Sequence, residues 1–366
     1  MISYNKALKI LKKNRFDIKN EKISLKNSLN RIVAKNIFSP TNYPSANNTA
    51  FDGFAINSKE TKNINKKKPK KFKIIKVLAA GDNPEIKKIP KFSTIEVMTG
   101  AIIQKPFDTI IPIEKIKYHP SKKYPKYIII NEKISKNNHI RFEGSDYKKG
   151  DKIMSKGQII EPKQMLSLKT VGIKKLLVKQ KPKIVFYSTG NELSSSNKIP
   201  FWKVRDSNSI YLKSFLENFP VKFIEKKILR DKDQAKFKKE VENNLKSKTN
   251  IIVTSGGVSV GKFDFVPKII YNYKLKKYFK NVAIRPGKPI MFARFKSNTV
   301  FFGLPGNPIS SAACFRFFLI PLLFSSIGIK EDRPIFAKIK NSFIKKKDFT
   351  RFIKGKISFS KKGNVE

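Results

Sequence analysis

From Lys183 onward the chain alternates short apolar runs with loops and with stretches whose apolar residues recur every three or four positions. Ile184–Tyr187 reads as a strand, followed by a loop over Ser188–Leu193 and a helix beginning near Asp206–Asn208. Val221–Leu229 predicts a strand and Asp233–Lys246 a helix. Ile251–Thr254 predicts another strand. After a glycine-rich loop, Val266, Ile269, Ile270 and Tyr273 fall on one helical face. Val300–Phe302 reads as a strand, the following GLPGNP as a turn, and Ile309–Phe324 as an apolar helix. Such alternation predicts an open, largely parallel sheet with helices on both faces. Loops at the carboxyl ends of its strands share one edge, where ligands bind.

The first half has a different texture. Tyr4–Lys13 predicts a short amphipathic helix through Tyr4, Leu8 and Leu11. Leu25–Asn36 predicts a second, with Leu25, Leu29, Ile32 and Val33 on one face. Pro40, Pro44 and the polar residues between them read as a linker. From Phe51 to about Ile140 the runs shorten to Phe72–Leu78, Thr94–Met98, Thr109–Ile113 and Tyr127–Ile130, separated by turn residues. That predicts a small all-β domain. Polar turns follow, then a helix over Pro162–Gly172.

Composition narrows the class. A chain of 366 residues with 40% hydrophobic content and 30 Phe has material for several folded domains. The single cysteine, Cys314, excludes an internal disulfide framework and fits a reducing compartment. The N-terminus has neither an apolar core nor a small-residue cleavage site, so no signal peptide is read. Ile309–Phe324 is interrupted by Arg316 and Pro321 and is expected to fall short of the roughly 20 residues of a membrane span. A soluble, cytoplasmic protein is expected.

The formal net charge is +52. Phosphate neutralisation along a nucleic acid is one reading of such an excess. Lysines, however, are spread through nearly every predicted element, and the aromatics lie in apolar runs instead of alternating with Lys as stacking platforms. Compositional drift toward Lys, Asn, Ile and Phe fits this distribution better. Lys66–Lys71 (KKKPKK) is expected to be a solvated loop.

Three glycine- and proline-rich blocks hold the chemistry: TSGGVSVGKFDF at 254–265, RPGKP at 285–289 and GLPGNPIS at 303–310. In each, backbone N–H groups can face a phosphate without interfering side chains. Asn307-Pro308 is a helix-start pair, Asn as cap and Pro in the first turn, with Ser310 nearby. Asp264 precedes a predicted helix and is either its cap or a carboxylate for a divalent metal. Glu192, in STGNEL, is expected on the same sheet edge, and two carboxylates beside phosphate loops favour a magnesium-type ion. Arg285 and Lys288 would supply positive charge to an anionic substrate. His119 and His139 have no zinc-type spacing, and Cys314 reads as a buried small hydrophobe.

Taken together, SGGVSVGKFDF, RPGKP, GLPGNPIS, STGNEL and the DSN at 206–208 resemble the molybdopterin molybdenumtransferase family (MoeA and the E domain of gephyrin). Upstream, NNTAFDGFAI at 47–56, MTGA at 98–101, FDTIIPIE at 107–114 and RFEGSDYKKGD at 141–151 resemble that family's blocks in the same order. The resemblance implies a multidomain α/β fold. A Rossmann-like molybdopterin-binding domain would cover 179–326, a β-rich domain 46–139, and an elongated linker domain 1–45 with 140–178. It implies an elongated homodimer in which the β-rich domain of the other subunit closes the cleft. The implied reaction inserts molybdate into adenylylated molybdopterin with release of AMP, assisted by a divalent metal such as magnesium.

By matching motifs, the resemblance makes Asp52, Asp146, Glu192 and Asp264 the acidic functional candidates, with Glu192 and Asp264 as metal ligands. Its substrate-binding candidates are Thr99, Ser188, Thr189, Gly190, Asp206, Asn208, Ser255, Gly256, Gly257, Arg285, Lys288, Pro305, Gly306, Asn307 and Ser310. It also points to a molybdopterin adenylyltransferase and apo-molybdoenzymes as partners, while composition leads us to expect no membrane and no specific nucleic acid.

Departures from the family pattern are Thr49 for Ser, Phe51 for Met, Ser145 for Glu and Asn191 for Asp. About forty residues follow the apolar helix, where the family carries a β-barrel-like domain. A partial C-terminal β domain over 327–366 is therefore expected, with DFTRFIKGKI at 348–357 resembling that domain's beginning and Arg351 as a candidate. The alternatives are a molybdopterin adenylyltransferase on the same α/β domain and a non-catalytic polybasic scaffold. The β-rich segment argues against the first and the retained carboxylates against the second.

Overall fold

The computed structural model describes residues 1–194, 196, 198–257, 265–329, 334–337, 344 and 348–356. The chain forms two compact units, one of Met1–Asn36, Met154–Met165 and Lys175–Glu366, the other of Ile37–Ile153 and Leu166–Lys174.

The first unit is built on a six-stranded sheet. Its order is Lys222–Glu225, Lys183–Ser188, Ile251–Ser255, Val300–Leu304, Met291–Phe295, Leu275–Lys280. The first four strands are parallel and the last two antiparallel, which gives the largely parallel sheet expected. Strand alternation sorts the side chains to two faces. Ile184, Phe186, Ile251, Val253, Val300 and Phe302 pack with Leu212 and Leu216 of the helix Asn208–Leu216, and with Phe315, Phe318 and Leu322. Val185, Tyr187, Ile252 and Phe301 pack on the other face with Phe237 and Val241 of Gln234–Lys246 and Val266 and Ile270 of Val266–Tyr271. A fully buried Phe contributes roughly 1.5–3 kcal/mol, so this aromatic-rich core is a large part of the unit's stability.

The apolar stretch near the end is helical from Pro308 to Ile327, with a π turn over Phe315–Leu319. At 20 residues it is long and apolar enough to cross a membrane, contrary to the expectation that it falls short. Its side chains nonetheless fill one face of the core. Gly328, at φ +81°, ends it in the left-handed conformation that suits glycine. The helix Tyr4–Lys13 packs Ala7 and Leu11 into the same core.

The helix expected over Leu25–Asn36 does not form. Leu25–Asn27 makes a single 3₁₀ turn, closed by the Ser28 hydroxyl on the Leu25 carbonyl at 2.7 Å. Asn30 then takes φ +59°, which breaks the helical path. Ile32 and Val33 run extended, and the Ala34 amide donates to the Leu177 carbonyl at 3.0 Å. Their β-branched side chains suit that state. The missed partner is the strand Lys175–Lys179, which pairs with Asn20–Ser24.

The second unit is the β-rich body. Its sheet runs Thr109–Pro112, Gly53–Ile56, Ser93–Val97, Lys70–Leu78, Pro125–Ile130, Lys117–Pro120. Gly53–Ile56 and Lys117–Pro120 were not foreseen. Lys66 and Lys67 do lie in an exposed turn, but Lys70 and Lys71 already open a strand. Of the expected C-terminal β domain, the described residues show one short strand, Thr350–Arg351; other parts of 327–366 lie outside the described residues.

Candidate active site

Three neighbouring parallel strands end in register at the loops the sequence singled out. Ser188 aligns with Ser255 and Ser255 with Leu304. Beyond the strands the loops continue to bind one another, the Thr189 amide to the Ser255 carbonyl at 2.9 Å and the Gly256 amide to the Leu304 carbonyl at 3.0 Å.

Side chains complete this stitching. Asn208 is buried at the start of its helix, and its Nδ2 donates to Ser255 Oγ at 2.6 Å and to the Gly306 carbonyl at 2.9 Å. Ser255 Oγ donates in turn to the Pro305 carbonyl at 3.2 Å. The Ser188 hydroxyl donates to Asp206, whose other carboxylate oxygen accepts the Ser209 amide at 3.3 Å. Ser188, Asp206, Asn208 and Ser255 thus hold the loops together from beneath.

Above them the surface is backbone. Gly256 sits at φ +91°, and a Cβ there would lie 2.4 Å from the Thr189 carbonyl oxygen. Gly257, at φ +62°, lies against Thr189 Oγ1, at 2.9 Å for a Cβ. Only glycine fits both the angle and the space. With Thr189, Gly190, Glu192 and Gly306 they line a cavity of about 510 Å³. Gly256 is buried and Gly257 half-buried, and a glycine turn of this kind lets a phosphate approach the backbone without interfering side chains.

The RPGKP loop reaches the opposite side of the GLPGNPIS turn. Gly287, at φ +104°, packs so closely that a Cβ would lie 2.5 Å from Cys314 Sγ and 3.3 Å from the Ser310 carbonyl oxygen. Cys314 Sγ donates to the Gly287 carbonyl at 3.3 Å. Burial pushes its thiol pKa up, which fits a packing residue and not a nucleophile. Asn307 caps the apolar helix as expected, accepting the Ser310 amide at 3.2 Å. Arg285 and Lys288 are both exposed on this loop. Pro286, Pro308 and Asn208 line a second cavity of about 520 Å³, so Gly306–Pro308 borders both.

Among the described residues no three His, Cys, Asp or Glu group into a metal cage. A magnesium ion does not require one, since it takes one or two carboxylates and completes its shell with phosphates and water. Glu192 is exposed on the first cavity, with its carboxylate folded back over Gly190, where a Cβ would lie 2.4 Å from it. That donor fits a substrate-completed ion. Asp264, the other expected ligand, lies outside the described residues.

Several residues of this edge were missed. Arg230 Nη1 donates to the carbonyls of Gly190, Asn191 and Leu193 at 2.7, 3.1 and 2.7 Å and fixes the Glu192 turn. Asp231 lines the cavity, its Oδ2 accepting from Asn191 Nδ2 at 2.6 Å. Asn191 Oδ1 accepts the Asp231 amide at 3.2 Å, so an amide at 191 is what this pairing needs. The only sequence signal was their place just past the predicted Val221–Leu229 strand.

Asp52, Thr99 and Asp146 belong to the second unit. Asp52 Oδ1 accepts the Thr99 amide at 2.6 Å and the Thr99 hydroxyl at 2.7 Å, and these bonds, the amide first, hold its carboxyl below the ordinary value. Asp146 pairs with Arg141, whose guanidinium lies 5.4 Å from the Tyr43 ring centre. The Gly100 amide donates to the Thr49 carbonyl at 2.9 Å, and Arg141 pairs with Asn48. The blocks at 47–56, 98–101 and 141–151 therefore meet within this unit.

Comparison with known proteins accounts for both units. Residues 2–172 match the MoeA N-terminal region (domain I and II), and residues 186–325 match a family described as a probable molybdopterin binding domain. A molybdopterin molybdenumtransferase of Staphylococcus epidermidis is 30% identical over 99% of this chain and 85% of its own length. One from Staphylococcus aureus is 30% identical over 93% and 80%. Among solved structures, a MoeA protein of molybdopterin biosynthesis from Pyrococcus horikoshii superposes with a TM-score of 0.78 at 26% identity, covering 100% of this chain and 89% of that one. The chain belongs to the molybdopterin molybdenumtransferase (MoeA) family, transferases of molybdenum-cofactor biosynthesis.

Proposed function

We propose that this chain takes adenylylated molybdopterin and molybdate, cleaves the phosphoanhydride to release AMP, and leaves molybdenum on the dithiolene. The observation that carries this reading is the shared Gly306–Pro308 turn. On one side of it lies a glycine-walled cavity with Glu192, and on the other the cationic RPGKP loop. One substrate brings a polyphosphate and the other an oxyanion, and this edge offers adjacent ground for both.

In this account the Gly257 peptide group meets phosphate oxygens, while Gly256, its own amide held by the Leu304 carbonyl, gives the turn its close approach to Thr189. Glu192, with Asp264, would hold a magnesium ion, which on binding would neutralise the phosphoanhydride. Arg285 and Lys288, with Ser310, bind molybdate by charge and hydrogen bonding. Asp52, Thr99 and Asp146 remain functional candidates through the family's motifs. A homodimer working in the cytoplasm, receiving substrate from an adenylyltransferase and serving apo-molybdoenzymes, belongs to the same proposal.

Product analysis tests it. With adenylylated molybdopterin, molybdate and magnesium, the expected nucleotide product is AMP. Formation of adenylylated molybdopterin and pyrophosphate from ATP and free molybdopterin would instead make the chain an adenylyltransferase.

A further inference from the structure

The strand Ile284–Arg285 carries the first cation of the RPGKP loop; Ile284 is buried in the core, and short hydrogen-bonded contacts flank the strand. On one side the Ala283 amide donates to the Ile2 carbonyl at 2.8 Å. On the other, Thr350–Arg351 pairs with it in parallel, Ile284 opposite Thr350 and Arg285 opposite Arg351. The Thr350 amide donates to the Ala283 carbonyl and the Phe352 amide to the Arg285 carbonyl, both at 2.9 Å. A two-residue ladder cannot hold itself in water and needs an apolar anchor.

On the Thr350–Arg351 side of the ladder, Phe352 is that anchor. Its ring stacks on Phe317 with centroids 4.1 Å apart and planes 8° from parallel. Tyr4 meets it edge-on at 5.3 Å. Phe317 sits on the helical run that begins at Asn307-Pro308, so the ring ties the segment 348–356 to the helix whose first turn borders the site. Phe352 also walls the cavity that Pro286 and Pro308 line. The hydrogen bond from its amide lands on Arg285 itself, so displacement of the ring loosens the residue that presents the guanidinium.

We infer that Phe352 is a positioning residue for the oxyanion half of the site, acting through Arg285, while the glycine-walled half is independent of it. This rests on the proposed transfer reaction for its kinetic consequence, but the clamp is testable without turnover. Hydrogen exchange of the unliganded full chain would be compared for wild type, Phe352→Ala and Phe352→Tyr. Expected is exchange about tenfold or more faster over residues 282–288 in Phe352→Ala, unchanged over residues 251–257, and restored in Phe352→Tyr. In AMP release, Phe352→Ala should raise the KM for molybdate roughly 10- to 100-fold and leave that for adenylylated molybdopterin within about twofold.

Unchanged exchange over 282–288 would overturn the clamp. So would faster exchange accompanied by equal rises in both KM values, which would mark Phe352 as a general stabiliser. If wild type releases no AMP, the transfer reading fails, and exchange alone decides the clamp.

Discussion

Asn208 Nδ2 donates to Ser255 Oγ at 2.6 Å, joining residues 47 positions apart at the edge where the parallel strands end. The same amide holds the Gly306 carbonyl, so one buried side chain fixes two of the glycine-rich loops at this edge. Asn208→Ala should lower stability by about 1–3 kcal/mol, the cost of leaving buried polar partners unpaired. It should lower kcat/KM as well. Denaturant titration beside AMP-release kinetics checks both; a variant equal to wild type in each would show that the stitching is dispensable.

Gly256→Ala tests the backbone cradle. The added methyl meets the Thr189 carbonyl oxygen at 2.4 Å in a backbone conformation that alanine rarely adopts. Strain of about 1–3 kcal/mol is expected. Affinity for adenylylated molybdopterin, measured calorimetrically, should fall sharply while molybdate affinity stays near wild type.

The sheet and its edge were legible because the signals were local. Short apolar runs placed Ile184–Tyr187 and Ile251–Thr254, and Asn307-Pro308 announced its own cap. The helix expected at Leu25–Asn36 does not form because Ile32 bridges Ile159 and Val33 bridges Val178, more than a hundred residues away, which no local period reveals. Arg230 was hidden by composition. Among 79 basic residues nothing distinguishes the one whose guanidinium closes on three carbonyls. Asn191 read as a lost carboxylate until the fold placed Asp231 against it.

That pairing predicts a swap. Asn191→Asp alone sets two carboxylates at hydrogen-bonding distance, which should raise the pKa of one and loosen the Glu192 turn. Exchanging the residues, Asn191→Asp with Asp231→Asn, restores an amide–carboxylate pair. The single variant should lose activity at pH 7 and the double should recover most of it. A double variant no better than the single would show that the pair does not act as a unit.

Acid titration reports on Asp52. Bonds from Thr99 hold its folded pKa below the unfolded value of about 3.9, so the stabilisation is present above that pH and is lost as pH falls through the folded value. Thr99→Val removes the hydroxyl but keeps the amide, and should bring the Asp52 pKa part of the way back up. Carbon-detected NMR titration of the Asp52 carboxyl checks this; an unchanged midpoint would remove the hydroxyl as a cause.

Pairing of the oxyanion with the phosphoanhydride at this edge is tested by the rate of AMP release from adenylylated molybdopterin with magnesium, measured across a molybdate titration for wild type and Lys288→Ala. Release should rise with molybdate and saturate in wild type. In Lys288→Ala the molybdate dependence should shift to higher concentration, with release slowed by about 10²-fold at subsaturating molybdate, as expected for loss of one electrostatic contact. Release indifferent to molybdate in wild type, or a titration unchanged in Lys288→Ala, would contradict an edge that holds the oxyanion beside the phosphoanhydride.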